Sequence, residues 1–254
     1  MLEGKVKRIG LVNQKGGVGK TTTAVNLSAY LARAGQKVLL VDLDPQVNAT
    51  SGMGQAVREP NIYTVLVGND KVQAAVVNVA SGLDLLPSSP DLVGASAELI
   101  ENPTRLAEVL RPLEQAYDLI LLDAPPSLGP ITLNVLSASE GLIVPVQAEY
   151  YALEGIAGLM ETIDRVRTSL NPALRLLGVL ITMYDPRTLL SQQVESNIRA
   201  NLGEKVFWTV IPRNVRLAEA PSYGQDIGQY APTSSGAHAY RRLAEEVMRR
   251  VQEA

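Results

Sequence analysis

The sequence contains no cysteine. Without thiols the chain cannot form disulfides, bind zinc or an iron–sulfur cluster through thiolates, or use a cysteine nucleophile. Histidine is nearly absent as well, because the single one, His238, lies among small residues with no orienting partner nearby in the sequence. We therefore interpret His238 as a surface or capping residue rather than a catalytic group.

Bulky aromatic residues and long apolar stretches are also scarce. With one Phe and one Trp, the core must be packed mainly by Leu, Val, Ile and Ala, which the 46% hydrophobic content can supply. No apolar run approaches the ~18 residues that a membrane-spanning helix requires. The first ten residues run directly into an apolar segment, which leaves no room for a signal peptide. We therefore expect a cytoplasmic protein.

An excess of positive charge is lacking too, since the formal net charge is −3. This balance argues against indiscriminate nucleic-acid binding by the whole surface. Acidic side chains outnumber basic ones in residues 1–150 but not in residues 151–254, where every basic residue except Lys205 is an arginine. Arginine suits fork-like phosphate contacts as well as surface ion pairs, so the count leaves both interpretations open.

Apolar runs typical of strands buried on both faces alternate with amphipathic helical patterns. Strands are predicted at residues 9–12, 38–41, 83–86, 118–123, 142–146, 176–181 and 206–211. Helices are predicted at residues 22–34, 61–68, 92–100, 104–115, 153–170, 190–202 and 235–251, with a mobile loop at 44–61. The alternation predicts an α/β fold with a doubly wound, mostly parallel sheet and helices on both faces. Without repeats or a linker, residues 1–254 are expected to form a single domain.

The segment GLVNQKGGVGKTTT, residues 10–23, has the form of a phosphate-binding loop between a strand and a helix. Its glycines allow backbone N–H groups to surround phosphate, Lys20 adds a full charge at the β- and γ-phosphates, and the Thr21 hydroxyl can bind Mg²⁺. The first glycine of the usual motif is replaced by Gln14, and an additional lysine, Lys15, follows it. The nucleotide-binding residues predicted here are Lys15, Gly16, Gly17, Val18, Gly19, Lys20, Thr21 and Thr22.

Aspartates follow two of the predicted strands. Asp42 and Asp44 end the strand in VLLVDLDPQ, and Asp123 ends the strand in DLILLD. Carboxyl ends of parallel strands meet the phosphate loop in such folds, so a carboxylate there can hold Mg²⁺ directly or through water. Asp123 is the predicted carboxylate of this kind.

The loop KGGVGKTTT resembles the deviant Walker A loop of the ParA/MinD ATPases. The segments LDLDPQ, LLDAPPS, PVQAEYYALEG and VIPRNVRLAEAPS extend the resemblance to the chromosomal ParA (Soj) group over nearly the whole chain. The resemblance implies a P-loop ATP hydrolase with ATP and Mg²⁺ as cofactors, a homodimer closed over ATP, and Lys15 reaching the partner's phosphates. It makes Lys15, Lys20 and Asp44 the catalytic residues and Thr21, Asp44 and Asp123 the metal residues. Asp44 would position or polarise the attacking water, Asp42 would support the metal shell, and residues 124–127 would form the second switch.

The resemblance also implies which residues bind the base of the nucleotide and which partners bind the dimer. Met183 and Pro212 would be apolar walls for adenine and Asn214 its amide partner, and the segment TMYD lacks the lysine of a guanine motif. Arg187 and Arg216 match positions at which chromosomal ParA proteins carry arginines for nonspecific double-stranded DNA, by phosphate contacts. A ParB-type centromere-binding protein would stimulate hydrolysis and release the nucleoid-associated dimer.

Two further hypotheses remain open from the sequence. The segment DPQVN departs from the family's DPQGN, and if the glycine is needed for a positive φ, Val47 would be strained and hydrolysis impaired. The protein would then be a nucleotide-gated scaffold. The last helix, with arginines beside an apolar face, could instead lie on an anionic membrane as in the MinD branch. Its glutamates favour packing against the sheet, so no stable membrane association is expected.

Overall fold

A seven-stranded sheet forms the centre of the computed structural model, which describes residues 7–68, 70–149 and 152–253. The strand order is β3-β4-β2-β5-β1-β6-β7, and all neighbours are parallel except β3 and β4. The strands are β1 Arg8–Leu11, β2 Val38–Asp42, β3 Val77–Ala80, β4 Leu83–Leu86, β5 Leu119–Asp123, β6 Gly141–Gln147 and β7 Arg175–Thr182. The predicted fold class is confirmed.

Helices cover both faces of this sheet. They are α1 Lys20–Arg33, α2 Asn48–Gly52, α3 Ile62–Val67, α4 Val72–Ala75, α5 Ser96–Glu101, α6 Arg105–Leu110, α7 Pro130–Ala138, α8 Ala152–Ser169, α9 Leu189–Leu202, α10 Val215–Glu219, α11 Ile227–Tyr230 and α12 Ser235–Glu253. Short 3-10 turns cover Pro90–Ala95, Arg111–Leu113, Gly203–Lys205 and Ala220–Tyr223. The predicted helix 104–115 therefore ends early, because Pro112 cannot donate the backbone hydrogen bond that an α-helix requires.

The two faces of the sheet form two apolar clusters. Successive strand residues point to opposite faces, so Leu39 and Val41 pack with α3–α9, whereas Leu40 packs with α1, α2 and α10–α12. All five residues of β2 and of β5 are buried, as continuous apolar runs predict for central parallel strands. Both strands end at the same edge of the sheet, and this edge carries the candidate site.

The predicted strand at residues 206–211 is wrong. Isolated bridges, Val179 with Val206 and Tyr184 with Pro212, connect this segment to β7 and the loop after it. The N–H groups of Phe207 and Ile211 also donate to the carbonyls of Val179 and Ile181, each at 2.9 Å, but the segment forms no continuous ladder. Between them the backbone N–H groups of Trp208 and Thr209 donate to the Glu246 carboxylate of α12, at 2.8 and 3.0 Å. A side chain distant in sequence thus takes the donors that a strand would use for its ladder.

The loop predicted at residues 44–61 also needs correction. It contains the short helix α2, whose Thr50 donates two hydrogen bonds to Asp42 at the end of β2. Strand β3 and helices α4, α7, α10 and α11 were not predicted from the sequence either. Conversely, the predicted helix at 61–68 is present, and the Asn61 side chain caps it by accepting from the N–H groups of Tyr63 and Thr64.

Helix α12 packs its apolar stripe against the sheet and α1, as predicted. Tyr240, Leu243, Ala244, Val247 and Val251 are all buried, whereas His238 at the start of the helix is exposed. Within the described ranges, none of the helices combines the length and apolar character needed to cross a bilayer.

Candidate nucleotide-binding site

The phosphate loop connects β1 to α1 at the carboxyl edge of the sheet. Gly17 and Gly19 have φ values of 74° and 86°, in the left-handed region that side chains disfavour. Helix α1 begins at Lys20 with no side-chain cap on its first turn and no acidic residue there. Its amino-terminal N–H groups and the positive end of its dipole are thus available to an anion.

Lys20 lies inside the loop. Its side chain is only 6% exposed, and its ammonium donates to the Lys15 carbonyl at 3.2 Å. Burial lowers the pKa of Lys20, whereas the nearby carboxylates of Asp123 and Asp44 raise it. The three charged groups of the predicted phosphate and metal sites are therefore close enough to interact.

Asp123 is a buried carboxylate that fits a metal ligand. Neither of its oxygens has a hydrogen-bond partner within the described part of the chain, although the residue is fully buried. Burial, followed by the charge of Asp42 directly across the β2–β5 pair, raises its pKa, and the nearby Thr21 hydroxyl and Lys20 ammonium oppose this shift. An uncompensated buried carboxylate is costly, and a bound cation would remove that cost. The donor set of Asp123 and Thr21 is of the oxygen type that Mg²⁺ prefers.

Asp42 serves a structural purpose instead of facing the cleft. One of its oxygens accepts from the Asp44 N–H at 3.1 Å, and the other accepts from the Thr50 N–H and hydroxyl at 2.8 and 2.7 Å. Burial raises the pKa of Asp42 to about 6, although these hydrogen bonds favour the charged form. These contacts tie β2 to α2 and hold the backbone of Asp44, and the implied support of the metal shell by Asp42 stays a prediction.

Asp44 lines a cavity of about 290 Å³ beside the phosphate loop. One of its oxygens accepts from the Gln46 N–H at 2.9 Å, which shapes the turn that follows. The turn brings Val47 to φ 60° and ψ 26°. The departure from the family's glycine therefore falls on a residue that does have the left-handed conformation. The lining residues are Gly16, Gly17, Gly19, Lys20, Thr21, Thr22, Asp44, Gln46, Asn48, Pro126 and Met183.

A second cavity, of about 360 Å³, lies beside the first and shares Gly19, Thr22 and Met183 with it. Pro212 contributes to its wall as predicted. Asn214 also lines it, but its side chain is occupied: its oxygen accepts from the Arg216 N–H and its amide donates to Ser235, both at 2.9 Å. Asn214 thus holds the loop and caps α10, in addition to facing the cavity.

Lys15 lies at the rim of the phosphate loop and is half exposed. Its ammonium forms an ion pair with Glu149 and does not fold back into the loop. The tyrosines of the sequence segment PVQAEYYALEG, residues 150 and 151, lie outside the described residues. Lys15 therefore carries its charge towards the outside of the molecule, on the side of the cleft.

The two predicted DNA-contact arginines lie outside both cavities. Arg187 follows β7 in the loop before α9, and Arg216 lies in α10, two residues after Asn214. Both side chains are exposed, at 86% and 58%, and each is paired with a nearby carboxylate, Asp185 in the same loop and Glu219 in the same helix. Both arginines therefore lie on the surface, and each is paired with an opposite charge.

Several contributors to the site were missed by sequence reasoning. Asn13 supports the loop by donating to the Pro145 carbonyl at 2.8 Å and accepting from the Lys15 N–H at 3.0 Å. The Thr182 hydroxyl, at the end of β7, donates to the Val18 carbonyl at 2.8 Å. Polar residues at strand ends were a usable signal for both, because this edge of a parallel sheet is where ligands bind.

Comparison with known proteins agrees with this architecture. A family model described as an AAA domain matches residues 6–176. The chromosome-partitioning ATPase Soj of Thermus thermophilus is 67% identical over 254 residues, which is all of both chains. The chromosome partitioning protein ParA of Caulobacter vibrioides is 46% identical over 95% of this chain and 94% of that protein.

Among solved structures, a cobyrinic acid a,c-diamide synthase from Mycobacterium smegmatis, crystallised with an ATP analogue and magnesium, has a TM-score of 0.84. It is 37% identical and covers 97% of this chain and 96% of its own. The fold is thus one in which a related chain binds an ATP analogue together with magnesium.

Proposed function

Because the chain belongs to the Soj/ParA family of chromosome-partitioning ATPases, we propose that it is an ATP-controlled DNA-binding switch. ATP closes two copies into a dimer, the dimer binds double-stranded DNA nonspecifically, and hydrolysis stimulated by a ParB-type partner releases it. One contact supports this coupling above all others. Asn214 lines the cavity beside the phosphate loop and caps the helix that carries Arg216.

Binding of the nucleotide is assigned to the loop at residues 15–22. The N–H groups of Gly16 to Gly19 and the Lys20 ammonium would hold the phosphates, while Met183 and Pro212 would flank adenine. Thr21 and Asp123 would hold Mg²⁺, which neutralises charge on the phosphates when bound. Asp44, which lines the cavity beside the phosphate loop, would orient the water that attacks the γ-phosphate.

Dimerisation is assigned to the rim that carries Lys15. Its ammonium pairs with Glu149 in the single chain and points outward. An exposed ion pair of this kind is weak, so the lysine can exchange Glu149 for the triphosphate of a second copy. Each active site would then be complete only in the dimer, which links nucleotide state to assembly.

The proposed DNA contact follows from doubling the arginines. Arg187 and Arg216 of one copy offer few phosphate contacts, whereas a dimer offers twice as many on one rigid surface, which raises affinity steeply. Nucleoid association would follow from this. Membrane attachment through α12 is not proposed, because its apolar face is buried in the core.

The DNA assignment can be tested with the double variant Arg187→Ala and Arg216→Ala. We expect retention on nonspecific duplex DNA with ATP and Mg²⁺ to fall to background, because phosphate contacts supply most nonspecific affinity. The ATP-dependent dimer should persist, since neither side chain lies in the cavities.

The matched control is the double variant Arg165→Ala and Arg167→Ala, which removes two exposed arginines from α8. It should bind DNA like the unmodified protein. Unchanged DNA binding by the Arg187 and Arg216 variant, or an equal loss in the control, would refute the assignment.

A further inference from the structure

Both arginines of the proposed DNA-binding face are held by carboxylates close to them in the sequence. The Arg187 guanidinium forms a fork with Asp185, in which Nε donates to Oδ1 at 2.9 Å and Nη2 to Oδ2 at 2.8 Å. Arg216 donates from Nη1 to Glu219 at 2.8 Å. A phosphate of DNA would need the same guanidinium donors, since arginine recognises carboxylate and phosphate with the same fork.

The carboxylates are anchored more firmly than the arginines. Asp185 also accepts from the Arg187 backbone N–H at 3.0 Å, which fixes it to the turn. Hydrogen bonds from Arg187, with a contribution from the charge of Arg213, lower the pKa of Asp185 to about 2. The carboxylate is therefore ionised at neutral pH and competes as a full charge.

Glu219 has a second anchor of a different kind. The Tyr230 hydroxyl donates to it at 2.9 Å, and the Tyr230 ring stacks on Tyr223 with the centroids 5.0 Å apart. Glu219 therefore keeps a partner when Arg216 leaves. The long, exposed arginine side chains are the parts of these pairs that can move.

We propose that Asp185 and Glu219 set the DNA affinity of this face by competing with backbone phosphates for Arg187 and Arg216. This inference rests on the DNA-binding function proposed above. Each phosphate contact must replace an existing carboxylate contact, so only part of the attraction of each arginine appears as affinity. A single copy is then held back from DNA, and a closed dimer, with twice the arginines, overcomes the competition.

The test uses Asp185→Asn, Glu219→Gln and the double variant. Asparagine and glutamine keep the shape and one acceptor oxygen, so the turn and the Tyr230 contact can persist while the charge is lost. The control is Asp164→Asn, which removes a carboxylate from another exposed arginine pair, Asp164 with Arg167 on α8. Binding to a nonspecific duplex would be measured by fluorescence anisotropy with ATP and Mg²⁺ at several salt concentrations.

We expect each substitution to tighten DNA binding about two- to five-fold, the range given by exposed ion pairs, and the double variant to exceed either. The salt dependence should also steepen, by roughly 0.9 in the logarithmic slope for each phosphate more fully neutralised. Asp164→Asn should change neither value.

Two different failures can be told apart. If the Arg187→Ala and Arg216→Ala variant loses DNA but the carboxylate variants match Asp164→Asn or bind more weakly, the competition is refuted and the DNA face stands. If the arginine variant still binds DNA normally, the proposed DNA face itself fails, whatever the carboxylate variants do.

Discussion

At the scale of single residues, Val47 shows how one side chain can alter a switch loop. Its φ of 60° lies where a Cβ clashes with the backbone, and a β-branched residue makes this worse. The conformation persists because Asp44, Gln46 and α2 fix the turn on both sides. Stored strain in a loop beside Asp44, the proposed catalytic aspartate, is a cost that the folded state carries.

This strain predicts an inverted stability order at position 47. At most positions a protein with Gly is less stable than one with Ala by about 0.4–1 kcal/mol, because Gly loses more chain entropy on folding. At φ 60° we expect Val47→Gly to be more stable than Val47→Ala by about 1 kcal/mol, since both lose the valine methyl groups but only Ala keeps the clashing Cβ. Urea unfolding of the nucleotide-free variants measures the difference.

The control for this order is position 57, an exposed valine without positive φ. At position 57 the usual order of stability should hold, in which the Ala variant is more stable than the Gly variant. The usual order at both positions would show that Val47 is not strained.

Single residues of the site were predictable to different degrees. Lys20 and Asp123 follow from the loop motif and from the position of an acid after a buried strand. The contacts of Asp42 did not, because its partner Thr50 lies in a helix that a Gly- and Asn-rich segment did not indicate. Nor did the arginine–carboxylate pairs, since neighbours in sequence do not fix side-chain geometry.

At the scale of elements, helix α12 also holds part of the segment that follows α9. Glu246 is buried, accepts from the N–H groups of Trp208 and Thr209, and pairs with Arg250 at 3.1 Å. Arg250 in turn donates to the Leu177 carbonyl of β7 at 2.7 Å. The segment after α9 is thus held to the sheet both through α12 and by the hydrogen bonds that Phe207 and Ile211 donate to β7.

Removal of this carboxylate should destabilise the whole fold. Glu246→Ala leaves the N–H groups of Trp208 and Thr209 without their acceptor and Arg250 without its paired charge, a loss of about 3 kcal/mol in the free energy of unfolding. Denaturant unfolding with an unchanged m-value would measure it.

The neighbouring Glu245 is exposed and provides the control, because Glu245→Ala should change stability by less than about 0.5 kcal/mol. Equal effects of the two substitutions would contradict the role assigned to Glu246.

The elements that the sequence predicted best are the ones with a local signal. Central strands such as β2 and β5 appear as short apolar runs because both faces are covered. Helix α7 was missed because most of its nine residues are buried, which removes the amphipathic period. Strand β3 is short and partly exposed at the sheet edge, so it carries little apolar signal.

At the scale of the whole molecule, Asn214 links the candidate nucleotide cavity to Arg216 of the proposed DNA face. The family and the fold could be predicted from the sequence because the motifs extend over most of the chain. The homodimer closed over ATP follows from the resemblance alone and stays a prediction, because it depends on how exposed charges such as that of Lys15 exchange partners between copies.

The most direct test of this account is the molar mass of the protein, measured together with its retention on nonspecific duplex DNA, in Mg²⁺ with ADP, ATP or a nonhydrolysable ATP analogue. We expect single chains that do not retain DNA with ADP, and dimers that retain it with ATP and with the analogue. Lys15→Ala should stay single in all three and fail to retain DNA. A mass that stays that of one chain at saturating ATP, or equal retention of DNA without nucleotide, would contradict the account.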